Sequence, residues 1–250
     1  MSNGKIALVT GAGSGIGRTV GIALVNAGWN TVFTGRRLDK LEEAVAATQG
    51  PGQAVAIACD VSRPDNVEQL FAQIEAEFGR LDLLFNNAGM GYKPTTIDEI
   101  PVEAWLDVVN VNLTGSFLCA RAAFGLMRRQ SPQGGRIINN GSISAYAPRP
   151  GSVPYTATKH AITGLTKSLS LDGRPFDIAC GQIDIGNALT DMASAMTQGV
   201  PQADGSIRTE QVMDVSHVAD AILYMANQPL GVNNLFLNVM ATKMPFVGRG

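Results

Sequence analysis

The sequence predicts an α/β fold: a doubly wound parallel sheet of about seven strands, with helices on both faces, forming a single domain over residues 1–250. Three observations predict it. Short β-branched and apolar runs alternate with longer stretches whose apolar residues recur at helical spacing, the pattern of βαβ units with right-handed crossovers. A glycine-rich turn joins the first strand to the first helix. The chain has 250 residues, 45% of them hydrophobic, with no internal repeat, low-complexity tract or linker, which suits one sizeable core.

Strands are expected at Lys5–Thr10, Thr31–Gly35, Ala54–Cys59, Leu81–Asn86, Arg136–Asn140, Ile178–Gly181 and Leu235–Val239. The first helix follows the glycines at Arg18–Ala27, and Val67–Phe78 carries apolar residues at helical spacing. Trp105–Arg129 is unusually long and apolar for one helix. Ala161–Leu171 is a further apolar helical stretch, closed by Asp172-Gly173. Residues 186–208 are irregular, with Gly199, Pro201 and Gly205 beside Met192 and Met196.

Composition excludes several classes. Only 16% of residues are charged and the net charge is −2, so no surface is built for nucleic acid or anionic membrane. Cys59, Cys119 and Cys180 form no CxxC pair or Cys/His cluster, and neither a disulfide framework nor a metal site is expected. No apolar run approaches the roughly 20 residues of a membrane span. The start, MSNGKIALVTG, reads directly into a strand, and a cytoplasmic chain is expected. Asn112-Leu113-Thr114 and Asn140-Gly141-Ser142 match glycosylation sequons and are discounted on that expectation.

Between the first strand and helix lies Thr10-Gly11-Ala12-Gly13-Ser14-Gly15-Ile16-Gly17. Glycine permits positive φ and a close approach of the backbone to a pyrophosphate, and the helix N-terminus adds N–H groups and partial positive charge. A tight strand–helix turn alone would explain one such motif; its place in a first βαβ unit favours a dinucleotide. The TGxxxGIG spacing and the chain length resemble the short-chain dehydrogenase/reductase family. The resemblance implies a Rossmann-like fold and a hydride-transferring oxidoreductase. It implies cofactor contacts from Gly11, Ser14, Gly15, Ile16 and Gly17.

The second strand ends in Gly35-Arg36-Arg37, with no carboxylate at its tip. A carboxylate there would repel a 2′-phosphate, whereas a guanidinium binds one through paired hydrogen bonds. Arg36 and Arg37 therefore favour NADP over NAD, against the plain alternative of a solvated helix start paired with Asp39 or Glu42. By the resemblance, Asp60 accepts from the adenine amino group and Val61 lies beside it. Asn87, Ala88 and Gly89, in Asn86-Asn87-Ala88-Gly89, line the adenosine side. A helix cap for Asp60 and a buried structural role for the asparagines are the alternatives.

Tyr155-Thr156-Ala157-Thr158-Lys159 puts a phenol and an ammonium four residues apart, on one helix face. A nearby ammonium and the oxidised nicotinamide ring both favour phenolate, which makes a phenol usable as a base. Ser142 lies 13 residues before Tyr155, at the end of the fifth strand, where parallel sheets place their ligand crevice. A hydrolase is excluded, since no GxSxG elbow exists and only His160 and His217 could act as base. The resemblance makes Ser142 the carbonyl clamp, with Ser144 its local competitor. It makes Tyr155 the general acid/base and Lys159 the ribose-binding partner. Asn112 becomes the holder of a water that links Lys159 to solvent.

After the sixth strand the family usually has Pro-Gly. Here Cys180-Gly181 is taken for that position, which would put Ile183 against the nicotinamide carboxamide. By the resemblance, residues 186–208 form a substrate lid, with Met192 and Met196 as an adaptable apolar face. Tyr92, Tyr146 and Thr190 are candidate pocket residues. A neutral or mildly polar carbonyl or alcohol is the expected small-molecule substrate. The apolar long helices imply a homodimer or homotetramer, though core packing would give the same pattern. An NAD-dependent enzyme and a non-catalytic dinucleotide sensor are the competing readings; a sensor has no need of Asn112, Ser142, Tyr155 and Lys159 together. An epimerase or dehydratase of the extended branch would need a longer chain and a GxxGxxG turn.

Overall fold

A computed structural model describes residues 4–190 and 195–247. Seven parallel strands form one sheet: β1 (Ile6–Thr10), β2 (Asn30–Gly35), β3 (Ala54–Ala58), β4 (Leu83–Asn86), β5 (Gly135–Asn140), β6 (Ile178–Gly186) and β9 (Phe236–Met240). Their order is β3-β2-β1-β4-β5-β6-β9. The order reverses between β1 and β4, and in such sheets ligands bind outside the carboxyl ends of the strands at that point.

Strand periodicity divides the core in two. On one face Ala7, Val9, Leu83, Phe85, Ile138, Ile183 and Ile185 pack against α1 (Gly15–Asn26), α2 (Leu38–Ala46) and α8 (Ser216–Ala226). On the other, Ile6, Leu8, Leu84, Ile137, Ile178 and Cys180 meet α3 (Pro64–Phe78) and α5 (Gly115–Arg129). Successive residues point to opposite faces, so strands covered on both sides read as nearly continuous apolar runs. All three cysteines lie in the second cluster. Burial pushes the Cys180 thiol up to about 12, which makes it an inert core residue rather than a redox group.

Three elements differ from expectation. The stretch expected as one helix to Arg129 begins at Val102 and is interrupted: α4 (Val102–Val109) and α5 are joined by a π-turn over Asn110–Thr114. Here the Gly115 amide reaches back to the Asn110 carbonyl, one residue further than in an α-helix. The helix containing Ala161–Leu171 starts earlier, as α6 (Val153–Asp172), because Pro154 suits a first helical turn. β6 does not end at Gly181. It pairs with β9 through Gly186, in the register Gln182↔Phe236 to Gly186↔Met240.

Residues 187–213 hold a short helix, α7 (Ala195–Gln198), and a two-stranded hairpin, β7 (Val200–Pro201) with β8 (Ile207–Arg208). Met192 lies outside the described residues. Among the described residues no helix is long and apolar enough to cross a membrane.

Candidate active site

The loops after β1 and β4 are stitched together at the switch point. The Thr10 hydroxyl accepts from the backbone N–H groups of Asn87 and Ala88, each at 2.9 Å. The Asn87 amide donates to the Thr10 carbonyl at 2.9 Å. Gly11 has φ +65°, and a Cβ there would lie 2.9 Å from the Ala88 Cα. Gly15 has φ +51° at the start of α1. The Ser14 side chain caps nothing and the first turn of α1 holds no acid, so its N–H groups stay free for an anionic ligand.

A cleft of about 530 Å³ runs from this turn to the start of α6. Of the expected cofactor residues, Gly11, Ser14, Gly15, Ile16, Arg36, Arg37, Asp60, Val61, Asn87, Ala88 and Gly89 line it. Gly17 does not reach the cleft. Its role is steric, since a Cβ there would sit 2.3 Å from the Gly11 carbonyl oxygen. Arg36 and Arg37 are exposed, and among the described residues neither has an ion pair. Asp60 is not the cap of α3, whose N-cap is Arg63; one of its oxygens accepts from the Ser62 amide and hydroxyl. A glycine cradle against a helix N-terminus, with two unpaired guanidiniums at the tip of the neighbouring strand β2, fits a dinucleotide phosphate chain.

Ser142, Tyr155 and Lys159 line the opposite end of the same cleft. Tyr155 and Lys159 project from the first two turns of α6, with the Lys159 ammonium 5.4 Å from the Tyr155 ring centre. Lys159 is buried, and its Nζ donates to the Asn140 carbonyl at 2.6 Å. The Ser142 hydroxyl accepts from the Ser144 N–H at 3.1 Å, which occupies a lone pair and leaves its own proton available. Asn112 sits in the π-turn, buried, off the cleft wall. Its amide bonds both polar backbone groups of Met90 and the Thr158 hydroxyl, so it ties the loop after β4 to α6. Its own carbonyl accepts from the Ser116 hydroxyl at 2.8 Å.

Ile183 requires correction. It lies mid-strand, fully buried in the core, and does not line the cleft. The glycine before it marks a close approach, not a strand end: a Cβ on Gly181 would sit 2.2 Å from the Asn234 carbonyl oxygen. At the end of β6 and just beyond it, Ile185, Asn187, Ala188 and Thr190 line the cleft. Asn187, at φ +50°, turns the chain there. Tyr92, Thr190 and Met196 line the cleft, whereas Tyr146 does not.

Two polar groups went unnoticed in the sequence. Asp184 is fully buried behind Ser142. It accepts from the Ser142 N–H at 2.9 Å, from the Gln182 amide at 2.7 Å and from the Tyr146 hydroxyl at 2.9 Å. Burial pushes its carboxyl above its usual value, while these donors and the Lys159 charge offset part of that push. Arg149 and Asn187, on the cleft wall, meet Glu210 from either side, with Arg149 Nη2 2.5 Å and Asn187 Nδ2 2.8 Å from its carboxylate. For Asp184 a signal existed: Gln182 and Asp184 alternate with Ile183 and Ile185, as polar residues on one face of a strand do.

Residues 5–201 match the family model described as short chain dehydrogenase. The chain is 39% identical over 180 residues to a 3β-hydroxysteroid dehydrogenase of Mediterraneibacter gnavus, a match covering 72% of this chain and 64% of that protein. It is 32% identical over 232 residues to a 3-oxoacyl-[acyl-carrier-protein] reductase of Synechocystis, covering 90% of each. Among solved structures it is similar to the actinorhodin polyketide ketoreductase with NADPH (TM-score 0.86, 28% identity, 95% of this chain and 96% of that one). It is also similar to the 3-ketoacyl-(acyl-carrier-protein) reductase of Brucella melitensis complexed with NADH (TM-score 0.83, 26% identity, 94% and 96%).

Proposed function

The chain belongs to the short-chain dehydrogenase family and is a nicotinamide-dependent oxidoreductase of CH–OH and C=O groups, and from that premise we propose that it uses NADP(H) on a small neutral carbonyl or alcohol, with Tyr155 as general acid/base. The observation that carries this reading is the convergence of Ser142, Tyr155 and Lys159 on one cleft with the glycine turn and Arg36 at its other end. Gly11, Ser14, Gly15 and Ile16 would hold the pyrophosphate, Arg36 and Arg37 the 2′-phosphate, and Asp60 and Val61 the adenine side. When bound, the nicotinamide supplies or accepts the hydride.

In the reducing direction Tyr155 gives its phenolic proton to the substrate oxygen as that oxygen gains charge. The Ser142 hydroxyl, its lone pair engaged by Ser144, directs its proton at the same oxygen. Lys159 braces the Asn140 carbonyl and sets a positive field beside the Tyr155 ring. The outer cleft is lined by Met90, Tyr92, Pro94, Pro150, Val200 and Pro201, and the charge of Arg149 is met by Glu210. That supports a neutral, largely apolar substrate, with residues 186–208 as its lid.

The test is a panel of ketones, aldehydes and alcohols, followed by NADPH and NADH absorbance, on the wild-type chain and on Tyr155→Phe. Tyr155→Phe should lower turnover by about a hundred- to ten-thousandfold with NADPH binding nearly unchanged. Substantial turnover by that variant removes Tyr155 from the role. NADPH binding without turnover across the panel in the wild type favours the dinucleotide sensor instead.

A further inference from the structure

The turn that carries Ser142 is held from both sides by groups of opposite charge. On one side the Lys159 ammonium holds the Asn140 carbonyl at 2.6 Å. On the other the Asp184 carboxylate holds the Ser142 N–H at 2.9 Å. Between them the Gly141 N–H donates to the Ile183 carbonyl at 2.8 Å. Gly141 has no room for a side chain, because a Cβ would lie 2.0 Å from Asp184 Oδ1. Turn, ammonium and carboxylate therefore pack as one unit.

The carboxylate itself is held by three donors. Gln182 Nε2 shares Oδ1 with the Ser142 N–H, and the Tyr146 hydroxyl occupies Oδ2. The Tyr146 ring is in turn packed edge-on against Phe246, at 6.3 Å. Of the titratable groups around Asp184, the turn after β5 presents Tyr146 and α6 presents Lys159. On its own strand it meets Gln182, and its partner on β9 is Asn238, neither of which titrates. A buried ion is retained in a fold only where it is paired and hydrogen-bonded.

We propose that Asp184 is a positioning residue for the reaction at Tyr155: it fixes the Asn140–Ser142 turn opposite Lys159, so that the Ser142 hydroxyl stays aimed at the substrate oxygen. The inference rests on the function proposed above. The hydrogen bond to the Ser142 N–H sets where the serine hydroxyl points.

Asp184→Asn and Asp184→Ala test it. Asparagine keeps an oxygen for the Ser142 and Gln182 donors and turns its amide toward the Tyr146 oxygen, so kcat should recover to within about tenfold of wild type. Asp184→Ala should lose about a hundredfold in kcat, with the Kd for NADPH within about twofold. In a Ser142→Ala background the further loss from Asp184→Ala should shrink to about threefold, because the hydroxyl that Asp184 orients is gone. An Asp184→Ala kcat near that of the wild type, or a loss just as large without the Ser142 hydroxyl, overturns the positioning. If the alanine protein does not fold, the same comparison is made with Asp184→Asn, whose smaller loss should vanish in the Ser142→Ala background, and a loss equal in both backgrounds overturns the proposal. Retained turnover by Tyr155→Phe sinks the proposed reaction alone, because the Asp184–Ser142 comparison reads the serine's contribution whichever group transfers the proton.

Discussion

At the tip of β2, the proposed preference for NADP(H) rests on the charges of Arg36 and Arg37. Arg36 stands exposed, with no ion pair among the described residues, where an acid would take the ribose hydroxyls of NAD. Arg36→Asp should replace attraction for a 2′-phosphate by repulsion and shift the ratio of kcat/KM values toward NADH by about tenfold or more. Steady-state kinetics with both cofactors checks it, and an unchanged ratio removes Arg36 from the assignment. Residues of this kind were readable because their chemistry is set by type and spacing. Tyr155 and Lys159 needed only a helix, and Ser142 only a strand end. Ile183 was misread because Gly181 was taken as punctuation. The glycine instead admits the Asn234 carbonyl, a contact from 53 residues away that no local pattern carries.

Element boundaries failed where tertiary contacts set them. The π-turn at Asn110–Thr114 has no glycine or proline to announce it, and it lies where Gly115 packs against Val61 so closely that a Cβ would be 2.8 Å from the valine methyl. The β7–β8 hairpin has two residues in each strand, too few for alternation to register. Next to it, Glu210 fastens the segment after β6 to Arg149 and Asn187. Burial alone pushes the Glu210 carboxyl up, but hydrogen bonds from Arg149, Asn187 and Gln202 outweigh burial and hold it at about 2. Its folded-state value thus lies below its ordinary 4.5, so it adds stability above that pH and loses it as pH falls toward 2. In urea melts, the stability gap between wild type and Glu210→Gln should be constant above pH ~5 and shrink steadily below it. A gap that does not change with pH would deny the carboxylate this role.

For the molecule as a whole, the fold class was legible because β1, β2, β4, β5 and β6 are buried along nearly their whole length and the long helices pack an apolar face against them. What covers the remaining apolar surface was not. Val102, Trp105 and Leu106 of α4, Phe117 of α5 and Leu171 of α6 are exposed. Core packing, the alternative reading of these apolar helices, leaves those side chains uncovered. The proposed homodimer or homotetramer would cover them. Light scattering coupled to size exclusion should give two or four times the 26.3 kDa chain mass. A single-chain mass at micromolar concentration would count against it.

The asparagines at the sheet centre have one more consequence. Asn86 on β4, Asn139 on β5 and Gln182 on β6 are register partners, side by side across three strands. Asn86 donates to Asn139, Asn139 to Thr166, and Thr166 to Gln182, all buried. Aliphatic strands slide past one another with little change in the area they bury, and nothing in Leu, Ile and Val tells one alignment from the next. Amides do. Slip β5 by one residue and three side chains lose their partners in a place water cannot reach. This row of polar groups works as a key cut into the sheet: it admits one alignment, and that alignment carries the carboxyl ends of β4, β5 and β6 to a common level.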